Sequence, residues 1–119
     1  MGVVMKAAVV RNFGEADQFS IEDVAIPRPT DGEVLIDVHA SGVNPIDFKT
    51  RKGIGVNRGW TSMPEKIILG WDISGVVVES KSDRWRTGDA VFGMPRFPAP
   101  ADGYAEFVTA PGDELASKP

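Results

Sequence analysis

The stretch "EVLIDVHASGVNPIDFKTRKG", residues 33–53, carries an alternating segment straight into a capped helix. Val34, Ile36, Val38 and Ala40 fall on one side and Asp37 and His39 on the other, the period of a half-buried β-strand. The alternation stops at Ser41-Gly42. Beyond it, Asn44, Pro45 and Asp47 occupy the N-cap, first and third positions of a short helix over 45–52, and Gly53 lies past its last turn. This is the only helical segment the sequence predicts, so the chain reads as mainly β.

Working outward, "MKAAVVRN" (5–12) is a strand ending in the turn at Phe13-Gly14. "FSIEDVAI" (19–26) is a second strand, whose apolar phase changes between Ile21 and Val24 as a bulge would make it do. "PRPTDGE" (27–33) has the Pro and Asp-Gly signals of a turn. In "DISGVVVES" (72–80) the unbroken Val76-Val77-Val78 predicts burial on both faces. "DAVFG" (89–93) and "YAEFVTA" (104–110) are further short strands, joined by "RTGD" and the Pro-rich "MPRFPAPADG" (94–103). With no repeats and no βαβ alternation, the expected fold is a partly open antiparallel β-barrel with one or more short helices.

Composition sets the outer limits. A chain of 119 residues, 42% hydrophobic and 25% charged, suits one domain spanning 1–119. Such a chain buries roughly two-thirds of the surface its unfolded form exposes, enough to fold without cross-links. The sequence has no cysteine, which removes disulfides, thiolate metal sites and thiol nucleophiles together and makes the cytoplasm the expected location. A net charge of -4 argues against a nucleic-acid partner, and Lys49, Arg51, Lys52 and Arg58 read as a solvated rim. No apolar run approaches the ~20 residues of a membrane span, and the N-terminus fits neither a signal peptide nor a myristoylation site.

Three local patterns invite chemistry. "GIGVNRG" (53–59) looks like a dinucleotide-binding glycine run, but no strand precedes it and its third glycine is one place late, so it reads as a loop. His39 with Asp37 supplies two metal ligands without a third, and reads as a surface imidazole. Asn44 keeps two readings: a helix N-cap with Asp47 as its partner, or the polar edge of a reaction site.

The ordered pieces "MKAAVV", "GEVLIDVHASGVNPIDFKTRKG", "ILGWDISGVVVES", "TGDAVFG" and "GYAEFVTAP" extend over nearly the whole chain. In that order they resemble the N-terminal GroES-like catalytic domain of medium-chain dehydrogenases/reductases, and within that superfamily the zinc-free quinone oxidoreductase branch. The resemblance makes Met5 the usual type of start and Met1 to Val4 an extension. In zinc-dependent relatives, a Cys ligand and a hydroxyl relay fall at the positions of Asn44 and Ile46, and their imidazole ligand falls at Trp71. An amide and an indole do not replace thiolate and imidazole, so the resemblance implies no zinc and no alcohol oxidation of the zinc type. The cysteine-rich lobe of those relatives is replaced by loop 94–102.

What the resemblance implies instead is hydride transfer from NADPH to a quinone or enone. Asn44 would donate its amide hydrogen to the acceptor oxygen as the catalytic residue. Asp47, Phe48, Lys49 and Trp71 would lie near substrate or cofactor: Asp47 orienting the turn, Lys49 facing a phosphate, and Phe48 and Trp71 joining Trp60, Met94 and Phe97 in a flat apolar wall. Each has an ordinary structural alternative in helix-end charge, packing or solvent exposure. Tyr104 is the one phenol and reads first as a strand residue.

In the resembled enzymes NADPH sits on a separate doubly wound domain, for which this chain has no strand, glycine-rich turn and helix in succession. The expectation is therefore the substrate-side part of an NADPH-dependent oxidoreductase, inactive without the nucleotide-binding half and binding no cofactor tightly alone. A free-standing binding module and a domain of an enoyl-thioester reductase are the alternatives. The apolar surface that the nucleotide-binding half would cover is also expected to allow association between copies of the chain.

Overall fold

A computed structural model describes residues 3–57 and 64–119. Its elements are β1 (Val4–Val10), β2 (Phe19–Ala25), β3 (Glu33–Ser41), α1 (Pro45–Arg51), β4 (Ile67–Ile68), β5 (Ile73–Ser80), β6 (Ala90–Gly93), β7 (Phe107–Pro111) and β8 (Leu115–Ser117). Single 3-10 turns occur at Ala16–Gln18 and Gly112–Glu114. The strands form an antiparallel five-stranded sheet, ordered β7-β3-β5-β6-β8, and a three-stranded sheet, ordered β2-β1-β4. The segment leading into β7 joins them: the Ala8 N–H bonds the Tyr104 carbonyl and the Val38 N–H bonds the Glu106 carbonyl, both at 2.9 Å. The result is the mainly β, partly open barrel that the strand pattern predicts.

β3 occupies the middle of this construction, paired with β5 on one edge and β7 on the other. Its first half differs from the expected one-sided burial. Val34 and Ile36 enter a core with Ile73, Val77, Val91, Val108 and Ala110, while Leu35 enters a second core with Met5, Ala7, Val9, Val24 and Ile26. All three are completely buried, each worth about 1.5–3 kcal/mol of transfer free energy. The second core is built from β1 and β2, so no pattern within β3 itself announces it. The second half of β3 changes character: Val38 is half-buried and Ala40, expected inward, is exposed.

A register shift between Val38 and Ala40 against β5 leaves His39 as the extra residue, and a second shift falls between Leu35 and Ile36. The bulge expected in β2 is therefore in β3. β2 pairs with β1 in unbroken register from Val4↔Ala25 to Val10↔Phe19, and Ile21 faces solvent opposite in phase to the buried Val24. On β5, Val77 is buried on the first core, and Val76 and Val78 are half-buried, Val78 against the second core.

Candidate active site

Helix α1 starts where its caps predict. Asn44 is extended (φ -119°, ψ 159°), Pro45 follows, and the Asp47 N–H donates to the Asn44 carbonyl at 2.9 Å. Asp47 Oδ2 reaches back to accept the Asn44 backbone N–H at 2.9 Å, the acidic arm of a capping box. At the other end Gly53 adopts φ 87°, the left-handed conformation that closes a helix. Asn57 is buried behind it and donates from Nδ2 to the Thr50 carbonyl at 2.9 Å. The described part of the 53–59 glycine run thus finishes a helix instead of opening one; Arg58 and Gly59 lie outside the described residues.

Capping uses only one oxygen of Asp47. The side chain is 2% exposed, and Oδ1 accepts the Gly70 backbone N–H at 3.0 Å. A buried carboxylate is tolerated when its lone pairs are occupied, and here two backbone donors occupy them. Gly70 sits at φ 100°, and a Cβ there would stand 2.5 Å from a ring carbon of Tyr104, so only glycine lets this loop come close. Burial first, then the charge of Asp47 and its hydrogen bond, and then Asp72, push the Tyr104 phenol up from its ordinary value of 10.0. Tyr104 is consequently a neutral hydroxyl, lying 3.4 Å from the Gly42 carbonyl.

The Asn44 side chain also reaches beyond its helix: Nδ2 donates to Asp72 Oδ2. The Asp72 carbonyl accepts the Gly42 N–H at 2.9 Å, and Ser41 Oγ donates to the Gly103 carbonyl at 2.7 Å. Gly103 N–H donates in turn to the Gly70 carbonyl at 2.8 Å. Three turns distant in sequence are thereby tied together where β3 ends and β5 begins. Beside them lies an open groove of about 480 Å³, lined among others by Ser41, Gly42, Asp72, Ile73, Phe92 and Met94. Apolar walls with a few polar groups along one edge are what a small-molecule site requires.

Among the residues singled out from sequence, Asn44 and Asp47 fall in one network. Trp71 is buried, its Nε1 donates to the Ala99 carbonyl at 2.8 Å, and its ring meets Phe97 edge-on at 5.5 Å. It supports loop 94–102 from beneath, leaving Phe97 and Met94 exposed on that loop. Arg96 anchors the loop's other side, donating to Glu33 Oε2 at 2.6 Å and to the Thr109 carbonyl. Phe48 and Lys49 are exposed on α1, and Trp60 lies outside the described residues. His39 is at the surface, 3.6 Å from the Asp37 carboxylate. Sequence reasoning missed Asp72 as a partner of Asn44. The available signal was an acid in the otherwise apolar "ILGWDISG". Among the described residues no three His, Asp or Glu side chains are grouped to hold a metal, and no helix is long and apolar enough to cross a membrane.

The alcohol dehydrogenase GroES-like domain family matches residues 30–119. The chain belongs to this family. The quinone oxidoreductase of Sus scrofa is 35% identical over 119 aligned residues, covering 98% of this chain and 34% of that protein. The structure of the quinone oxidoreductase from Coxiella burnetii superposes with a TM-score of 0.88 at 38% identity, covering 98% of this chain and 37% of that one. A mycobacterial protein solved in complex with NADPH superposes with a TM-score of 0.78 at 30% identity, over 97% of this chain and 32% of that one. The GroES-like chain thus spans about a third of the length of the relatives it matches, among them quinone oxidoreductases of the medium-chain dehydrogenase/reductase superfamily.

Proposed function

We propose that this domain, residues 1–119, is the substrate side of a zinc-independent, NADPH-dependent oxidoreductase that reduces quinones or enones and works with a nucleotide-binding domain. The observation that carries the reading is a mostly apolar groove lined by Asp72, whose carboxylate accepts a hydrogen bond from the Asn44 amide. An amide N–H is a neutral donor, suited to an acceptor oxygen on which negative charge develops. With Asn44 and Trp71 where zinc-dependent relatives carry Cys and His, and with no cysteine in the chain, polarisation by a zinc ion is not the reading these donors support. The acceptor must then be electron-poor already, as a quinone or an enone is. The cysteine-free sequence also favours the cytoplasm as the place of work.

The groove suits a planar ring, since Gly42 lines it without a side chain and Phe92 and Met94 line it with apolar ones. On this reading the phosphates of a dinucleotide fall to the partner domain, where a glycine-rich turn between a strand and a helix would hold them. NADPH, when bound, supplies the hydride. Asn44 holds the acceptor oxygen, the Ser41–Gly42 backbone fixes its distance, and the apolar wall keeps water from the reacting faces.

The test uses the complete protein, with the nucleotide-binding domain present. NADPH oxidation is expected with a quinone or an enone, and elemental analysis is expected to give far less than one zinc per chain. Asn44→Ala should lower kcat by ~10- to 1,000-fold, the scale of losing one preorganised donor. Asn44→Ser separates the two roles, because serine caps a helix as well as asparagine does while lacking the amide. Stability should fall by about 1 kcal/mol or less, since the cap is kept and the bond to half-buried Asp72 is lost, while turnover falls. An aspartate at 44 is the poorer control, since it would face the Asp72 carboxylate. Parent turnover in Asn44→Ser would reduce Asn44 to a cap, and preference for an enoyl thioester would move the acceptor class.

A further inference from the structure

Resting on the proposed role of Asn44, we propose that Asp72 is a positioning residue that fixes which end of the Asn44 amide meets the acceptor. An asparagine amide has two orientations of nearly equal shape, one presenting NH2 and the other C=O at a given point. A carboxylate only accepts hydrogen bonds, so Asp72 Oδ2 binds the NH2 and repels the carbonyl. One orientation survives. The NH2 carries two hydrogens, so the bond to Asp72 leaves the second to donate elsewhere while the amide is held.

Asp72 is itself well placed for this. It directly precedes β5, whose first residue, Ile73, pairs with Ser41 on one side and Gly93 on the other. Its backbone carbonyl accepts the Gly42 N–H at 2.9 Å. Its side chain lies against Gly42, where an added Cβ would come within 2.9 Å of the Asp72 Cβ and 3.1 Å of Oδ2. A residue larger than glycine at 42 would push the carboxylate off Asn44. The arrangement also explains why a single acid lines a groove whose other lining residues are uncharged: Asp72 acts on Asn44, and Asn44 acts on the acceptor. A donor held in advance needs no reorganisation as charge develops, the property that makes such donors effective.

The test again uses the complete protein. Asp72→Ala frees the amide, and kcat is expected to fall about 10-fold with KM for NADPH unchanged. Asp72→Asn offers a donor as well as an acceptor, admits both orientations of the Asn44 amide and should therefore also lower kcat, by less than Asp72→Ala; it serves if Asp72→Ala fails to fold. The deciding measurement is the double-mutant cycle: on an Asn44→Ala background, Asp72→Ala should cost nothing further. A merely structural role would give the same loss in both backgrounds, and that additive result overturns the proposal, as does parent kcat in Asp72→Ala. A costly Asn44→Ala beside a silent Asp72→Ala removes only the positioning role, whereas a silent Asn44→Ala removes the function of Asn44 and this role together. The side-chain 15N–1H resonances of Asn44, assigned by their loss in Asn44→Ala, report the bond independently of turnover. They should shift in Asp72→Ala, and unmoved resonances would refute the contact itself.

Discussion

In the first half of β3, Val34, Leu35 and Ile36 are all fully buried; three residues further on, His39 and Ala40 are exposed and the strand opens onto the groove. The first half is held by apolar surface divided between two cores. The turn that follows the second half is held by polar bonds: Asn44 to Asp72, Asp47 to Gly70, and Ser41 to Gly103. The register shift at His39 lies between these regimes, and Gly75 on β5 comes directly against the Asp37 carbonyl there. One strand thus joins an apolar anchor to a polar site, and the two functions should respond separately to mutation.

Leu35→Ala should break the anchor half. Leu35 is the β3 side chain that fills the core beneath β1 and β2, so its truncation leaves a cavity that neither sheet can readily close. The expected loss is about 2–5 kcal/mol, measured by urea unfolding of the chain. In the complete protein, at a temperature where the variant stays folded, kcat should remain within ~3-fold of the parent, because the truncated side chain points away from the groove core. A large fall in kcat without loss of stability would contradict the division of β3.

Asp47→Ala should sharpen the contrast by behaving the other way. It leaves the buried Gly70 N–H without its acceptor, a loss of about 1–3 kcal/mol, while the N–H of half-buried Asn44 can rehydrate. The stability effect is thus smaller than for Leu35→Ala. The turnover effect should be larger, since Asp47 holds the turn bearing Asn44 against the loop bearing Asp72. If Asp47→Ala unfolds the protein less than Leu35→Ala and still reacts at the parent rate, the polar junction has no part in the reaction.

The sequence made these two regimes legible to different degrees. The cap residues Asn44, Pro45, Asp47 and Gly53 lie within ten positions of one another, and their local chemistry predicts α1 nearly to the residue. The strand faces were legible where one core dictates the period, and illegible at Leu35, whose environment comes from strands far away in sequence. β4 and β8, with two and three residues, are too short to show a period. In the site, Asn44 and Asp47 could be singled out as polar groups in a turn. Their partners Asp72 and Gly70 could not, because those bonds span 28 and 23 residues and depend on where β5 begins. Trp71 could be read either as a site wall or as packing, and its residue type does not reveal that its indole N–H is committed to Ala99.

The mildest prediction concerns the phenol at the edge of the polar half. Tyr104 is the one tyrosine in the chain, so ultraviolet absorbance of phenolate reports this group alone. Its pKa is raised above the ordinary 10.0, chiefly by burial and secondarily by Asp47 and Asp72, so the folded protein holds the phenol proton more tightly than the unfolded chain does. The stability linked to this group is therefore complete below pH 10 and is lost as pH rises through the folded value, with no effect near neutrality. Spectrophotometric titration should show phenolate appearing later in the folded protein than in urea. In Tyr104→Phe, alkaline unfolding should begin at higher pH than in the parent, with neutral-pH stability changed by about 1 kcal/mol or less. A phenol that titrates in the folded protein at or below its value in urea would mean that Asp47 and Asp72 do not face it as charged groups in a shielded setting, and the polar junction of β3 would have to be redrawn.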